Sequence, residues 1–248
     1  KEVEIEEISI RNATFDTRDF IDGVVVNGHL GELYLESHGV VFSPETARIN
    51  EFSVKNTDVS LTLENMEDTD TTTTEPIYWK ILLDEIDFEN VGFALNMPQD
   101  SLFVRTMLPK TTLKDGVIDL KEASYYVKSF DMDNAELAYG PKEELSLKKI
   151  GLQLDSIYYC GRDIRANVEE FVFKERSGLE LVSTEGRIAS DSVLIQIPKF
   201  TMKTTASSLD LQTKIGWDVL EMKKTGVLSA KINAEIGKGD VAKILGGR

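Results

Sequence analysis

The sequence predicts an all-β protein, an elongated antiparallel sheet built from repeated strand units. Three observations predict it. Apolar residues recur at every second position, Gly- and Asn-containing dipeptides punctuate the alternation, and one strand pattern returns at a constant offset within the 248 residues. Alternation puts every second side chain on one face of a pleated strand, whereas a helix needs spacings of three and four.

In chain order, Val3 with Ile5, Ile8 with Ile10, Val24 with Val26 and Leu33 with Leu35 carry the first strands. Val59, Leu61 and Leu63 follow, then Ile150, Leu152 and Leu154. Val193, Ile195 and Ile197 precede the last set, Ile232, Ala234 and Ile236. Asp22-Gly23, Asn27-Gly28, Asp115-Gly116 and Ser177-Gly178 read as turns between short strands. Residues 121–127 or 216–224 have room for a short helical turn. Residues 65–76 are acidic, threonine-rich and almost devoid of core residues. They read as a mobile loop, and deletion of 66–75 is expected to cost little stability.

Composition narrows the function. With 41% hydrophobic residues the chain can build a core, as one large or two modest domains. Acidic residues outnumber basic ones 43 to 28, for a formal charge of −15. Such a surface repels phosphate backbones and anionic headgroups, which argues against nucleic acid as a partner. One cysteine, Cys160, and two histidines, His29 and His38, leave little for an internal disulfide, a zinc centre or a histidine-based triad. No run of 18 apolar residues is present to cross a bilayer as a helix. The chain starts at Lys1 and stops after Lys243-Ile-Leu-Gly-Gly-Arg248, which reads as a piece of something longer.

A repeat flanks the acidic segment. Glu7-Ile8-Ser9-Ile10-Arg11-Asn12-Ala13-Thr14-Phe15 matches Glu85-Ile86-Asp87-Phe88-Glu89-Asn90-Val91-Gly92-Phe93. Phe52-Ser53-Val54-Lys55-Asn56-Thr57-Asp58-Val59 matches Phe130-Asp131-Met132-Asp133-Asn134-Ala135-Glu136-Leu137. Both matches are 78 positions apart, and Lys149 to Ile157 gives a weaker echo. The unit reads as a strand, a turn pivoting on asparagine, and a strand back, because asparagine tolerates the left-handed backbone. The domains are then 1–64, a first β unit; 65–76, the acidic loop; 77–142, a second unit; and 143–248, a third that continues beyond the fragment. Repeats of this kind extend a sheet whose apolar face must be covered by something.

The second unit, Pro76-Ile-Tyr-Trp79-Lys-Ile81-Leu-Leu83-Asp-Glu-Ile86-Asp-Phe88-Glu-Asn90-Val-Gly-Phe93, resembles the repeat of the TamB family. These are the translocation and assembly module proteins, relatives of the AsmA-like proteins. Phe171-Val-Phe173-Lys-Glu175-Arg-Ser177-Gly178-Leu-Glu-Leu181 is similar to a later stretch of that family. So is Phe200-Thr-Met202-Lys-Thr204-Thr-Ala-Ser207-Ser208-Leu209-Asp-Leu211, and 232–241 resembles the unit that follows. The acidic threonine segment departs from the pattern. The resemblance implies a twisted sheet curled into an apolar groove in the bacterial periplasm, anchored in the inner membrane by an N-terminal helix outside this chain. It implies phospholipid movement between inner and outer membrane, support for outer-membrane protein assembly, a partner of the TamA/BamA type, no cofactor and no catalytic residue.

The expected groove lining is Ile8, Ile10, Val54, Ile86, Phe88, Phe93, Phe130, Met132, Leu152, Leu154, Phe171, Phe173, Phe200 and Met202. It would shelter phospholipid acyl chains, and the bland alternative is a closed β core. Other motifs are weaker. Ser146-Leu-Lys-Lys149, Ser190-Asp191-Ser192 and Lys224-Thr225-Gly226 mimic a penicillin-recognising serine enzyme, but strand alternation surrounds the first. Acid pairs such as Asp131 with Asp133 share a face as a glycosidase needs, yet are expected by chance among 43 acids. Asp68 and Asp70 match no complete calcium loop. Trp79, Trp217 and Cys160 read as packed or strand-end residues. The rival function is a cell-surface β-sandwich or β-helix that binds glycans or acts as an adhesin.

Overall fold

The computed structural model describes residues 2–3, 6–19, 23–42, 45–64, 78–140, 142–223 and 226–246. Ile5, Asp22, the segment 65–76 and the Lys224-Thr225 pair fall outside them. The described residues form a single 13-stranded sheet. Its strands are β1 (Glu2–Val3), β2 (Glu7–Asp19), β3 (Val24–Phe42), β4 (Glu45–Leu63), β5 (Lys80–Met97), β6 (Leu102–Asp119) and β7 (Ser124–Tyr139), followed by β8 (Leu145–Cys160), β9 (Asp163–Glu175), β10 (Glu180–Ser190), β11 (Leu194–Thr204), β12 (Ser208–Gly216) and β13 (Leu228–Glu235). Two helices complete it, α1 (Trp217–Leu220) and α2 (Lys238–Gly246).

β1 and β2 lie end to end along one edge of β3, with Val3 opposite Val40 and Glu7 opposite Glu36. Every later strand pairs with the one before it, so sheet order follows chain order from β3 to β13. All pairings are antiparallel except β4 with β5, which run parallel. Edge strands β2 and β13 do not meet, so the sheet is open rather than a barrel.

The units are longer than the alternation predicts. β3 to β6 run 18 or 19 residues each. Asn27-Gly28 and Asp115-Gly116 lie inside β3 and β6 rather than in turns, while Ser177-Gly178 does turn between β9 and β10. Of the two expected helical turns, 216–224 contains α1, whereas 121–127 runs from a turn into β7.

The repeated asparagines explain the difference. Asn12, Asn56, Asn90 and Asn134 all have positive φ, between 50 and 55°. The left-handed conformation expected of them is present, but the chain does not reverse there. Each sits within a strand and bends it. Register puts them on one line across the sheet: Asn56 lies beside Asn90, and Asn90 donates its amide N–H to Asn56 Oδ1 at 3.2 Å. Gly31 occupies the same line on β3, where a Cβ would collide with the backbone carbonyls of Lys55 and Asn56. Lys149, also at positive φ, carries the line into β8.

A second interruption of the ladder passes Asn50, Asp84, Asp115, Lys128 and Ser156. Asp115 and Ser156 again have positive φ. On β4 and β5 the two lines are six residues apart, about 20 Å at a strand's rise. The pairs on either side of each line keep one register on β4 to β7, so neither line inserts a residue. Each line is a crease where neighbouring strands leave ordinary pairing together, and the two creases divide β4 to β8 into three panels.

The strain is testable. Asn56→Val places a β-branched side chain at a φ of +50°, and destabilisation of about 1–3 kcal/mol is expected. Asn56→Gly, free of that clash, should stay close to the parent protein. Urea unfolding midpoints of the two variants check it.

Candidate functional site

The middle panel separates apolar from polar side chains completely enough to define a site. One cross-strand row begins Ile8, Leu35, Phe52, Ile86, Leu113 and Phe130, each directly opposite the next. It continues through Leu154, Val168, Gly186, Phe200, Leu211 and Ile232. The row thus crosses the whole sheet without a polar side chain. Eleven strand spacings of about 4.8 Å make it roughly 53 Å long. Its one glycine, Gly186, lies under the Phe200 ring, which would collide with any Cβ there.

Two residues along each strand, and three along the bulged β9, runs a second row, Ile10, Leu33, Val54, Phe88, Thr111, Met132, Leu152 and Phe171. The row resumes across the far strands as Thr184, Met202, Leu209 and Ala234. The rings of Phe52 and Phe88 meet edge to face at 6.3 Å. The apolar side continues over the second crease, because the Cβ direction of Gly116 meets Leu113 and Leu83 at 3.3 Å.

The opposite face of this panel is polar throughout. Ser9, Tyr34, Ser53, Asp87, Thr112, Asp131, Gln153 and Glu170 form one row. Thr112 donates its hydroxyl to Asp87 at 2.6 Å. Beside it Arg11, Glu32, Lys55, Glu89, Lys110 and Asp133 alternate in charge strand by strand. Arg11 pairs with Glu32 at 3.2 Å and Lys55 with Glu89 at 3.9 Å. Lys114 donates to Glu85 at 2.9 Å, and that hydrogen bond holds its ammonium above the ordinary range.

Among the described residues no second layer covers the apolar face. Among the described residues only Val54, Leu83, Ala135, Ala138, Ile150 and Leu181 are buried apolar side chains. The accessible surface is 16320 Å². A compact monomer of 27.8 kDa has about 11,000 Å². The single layer accounts for the excess.

The sequence-predicted lining divides cleanly on these rows. Ile8, Ile86, Phe130, Leu154 and Phe200 fall in the first. Ile10, Val54, Phe88, Met132, Leu152 and Phe171 fall in the second, and Met202 in its continuation. Phe93 lies past the asparagine line, opposite Val59, in the next panel. Phe173 pairs with Leu181 beyond the bulge of β9. Sequence reasoning missed Leu35, Phe52, Leu113, Val168, Leu211 and Ile232. The 78-residue offset was signal enough for Phe52, the equivalent of Phe130.

Other candidates sit apart from the rows. Ser146 lies within β8, not at a helix start, and Ser190 at the end of β10 donates its hydroxyl to the Arg162 carbonyl. His29 faces Thr14 and His38 faces Asn50. Cys160 ends β8, and Trp217 donates its indole N–H to the Asp191 carbonyl at 2.7 Å. A concavity of 570 Å³ crosses β3 to β8 beyond the asparagine line. Four of its charges pair, Arg105 with Glu143 at 2.7 Å and Lys148 with Glu136 at 3.8 Å, and Asp58 lines it as well. Among the described residues no helix is long and apolar enough to cross a membrane.

A scan of the sequence against protein-family models finds no match, and a search of curated proteins finds none either.

Proposed function

We propose that this chain is a segment of a TamB/AsmA-like envelope protein that shelters lipid acyl chains along its sheet. The observation that supports this most is the continuous apolar row on a face over which the described residues place no second layer. Exposing an acyl chain to water costs about 0.8 kcal/mol per CH₂, or about 13 kcal/mol for sixteen carbons. A long apolar surface removes most of that cost at every point of the path. Val, Ile, Leu and Phe in monotonous order also give even affinity, so cargo slides rather than lodges. On this reading the surface acts without a catalytic residue. Phospholipid passes between inner and outer membrane, with an assembly partner of the TamA/BamA type and an inner-membrane anchor elsewhere in the parent.

Native mass spectrometry of the purified chain tests the reading. Adducts of phospholipid mass, removable by organic extraction, are the expected result. Repeated preparations without any adduct would count against it. A glycan-binding role draws support from one feature, the exposed Tyr125 and Tyr159 rings 5.9 Å apart. Oligosaccharide titration followed by tyrosine fluorescence distinguishes the two.

A further inference from the structure

Among the described residues the sheet has two edges without a strand partner, β2 and β13. β2 presents 13 residues, and among them Ile8 and Ile10 are 38% and 42% exposed at the start of the two apolar rows. β13 presents eight residues, all exposed, with Ile232 at 63%. A long edge without proline is a template for another strand. Following strand directions through the sheet, β2 and β13 run the same way. A copy added by translation along the sheet therefore sets β13 parallel to β2, the arrangement that already joins β4 to β5.

Apolar continuity picks the register. Carrying the first row from Ile232 to Ile8 and the second from Ala234 to Ile10 places Lys231 opposite Glu7 and Glu235 opposite Arg11. Both contacts join opposite charges. The first relieves a run of like charge, since Glu7, Glu36, Glu51 and Glu85 lie side by side. The second extends the alternating ladder that ends at Arg11. Opposite charges across a strand pair stabilise it and like charges destabilise it. The contact also ends where it should, because Glu235 closes β13 just before the bend at Asn12.

We propose that the chain self-associates head to tail, the β13 edge of one copy adding as a parallel strand to the β2 edge of the next. Such an interface is heterologous and does not close on itself, so it builds rows of copies rather than a fixed dimer. The apolar face then runs on from copy to copy. The proposal does not depend on the lipid reading.

Sedimentation velocity over a concentration series tests it. The expected result is a weight-average mass that rises with concentration. Glu7→Arg with Arg11→Glu should hold the chain monomeric, as should Lys231→Glu with Glu235→Lys. Mixing the two double variants, each folded by circular dichroism, should restore association, because every β13 then meets a β2 of matching charge. A parent chain that stays monomeric throughout the series overturns the proposal. So does a β2 double variant that still associates, since antiparallel β2–β2 pairing keeps opposite charges facing each other at positions 7 and 11 after the swap. Mixed variants that fail to associate overturn it as well.

Discussion

Replacing Phe130 by glutamate is expected, on the proposed lipid-sheltering function, to strip the chain of bound lipid while its strands stay formed. Phe130 sits between Leu113 and Leu154 at the centre of the first apolar row, and is only half-buried. A carboxylate there must remain hydrated, which wets the row in the middle and raises the cost of every acyl segment that crosses it. Lipid recovered with the protein should fall at least about tenfold, equivalent to about 1.4 kcal/mol. Because the native side chain is only partly buried, the melting temperature should move by only a few degrees. Asp131→Asn, one residue along and on the polar face, is the matched control and should leave lipid unchanged. Equal lipid in Phe130→Glu and the parent protein would remove the apolar row from the mechanism.

Deleting residues 66–75 is expected to lower the melting temperature by at least about 10 °C, the reverse of what composition suggests. The reason is the parallel pairing of β4 with β5. Thr46 lies opposite Lys80 and Thr62 opposite Asn96, so the chain leaving Leu63 must return to the start of its own strand. That distance is about 56 Å along β4 at 3.3 Å per residue. Seventeen residue steps separate Leu63 from Lys80, and the deletion leaves seven, which reach about 25 Å at most. A parallel neighbour needs a crossover of a dozen residues or more. The shortened chain has to give up pairs from one end of the ladder. An unchanged melting temperature would mean that the two creases bring the ends of β4 within that reach.

How much of this was legible beforehand depends on the range of each interaction. Ile8 with Ile10, or Leu152 with Leu154, shows its face from sequence, because the pleat makes side-chain direction a property of neighbouring residues. The positive φ of Asn56 and Asn90 was readable for the same reason, since asparagine is among the few residues that adopt it cheaply. What that φ accomplishes was not readable. An isolated left-handed residue fits a turn as well as a bend, and only the strand beside it shows which. Asp115-Gly116 differs from its expected turn on the same ground, whereas Asn27-Gly28 keeps ordinary strand backbone and its glycine admits the close Asp58 carbonyl.

The candidate site follows that division. Twelve of the fourteen expected lining residues fall on the two rows or their continuation, because alternation had already assigned them to a common face. Phe93 and Phe173 do not, since a crease or bulge intervenes and local periodicity loses count there. That Leu35 stands beside Phe52, or Val168 beside Leu154, depends on hydrogen bonds between strands distant in sequence.

Alone, the amino-acid order determined a strand-rich chain with one oily side, a duplicated unit and asparagines able to hold an unusual backbone. Only the assembled sheet decided that those asparagines line up, that β4 and β5 run in parallel, and that the described residues lay no second layer over the oily side. Periodicity is written within a few residues of the chain. Register, bending and coverage arise between segments tens of residues apart, where no local pattern reaches.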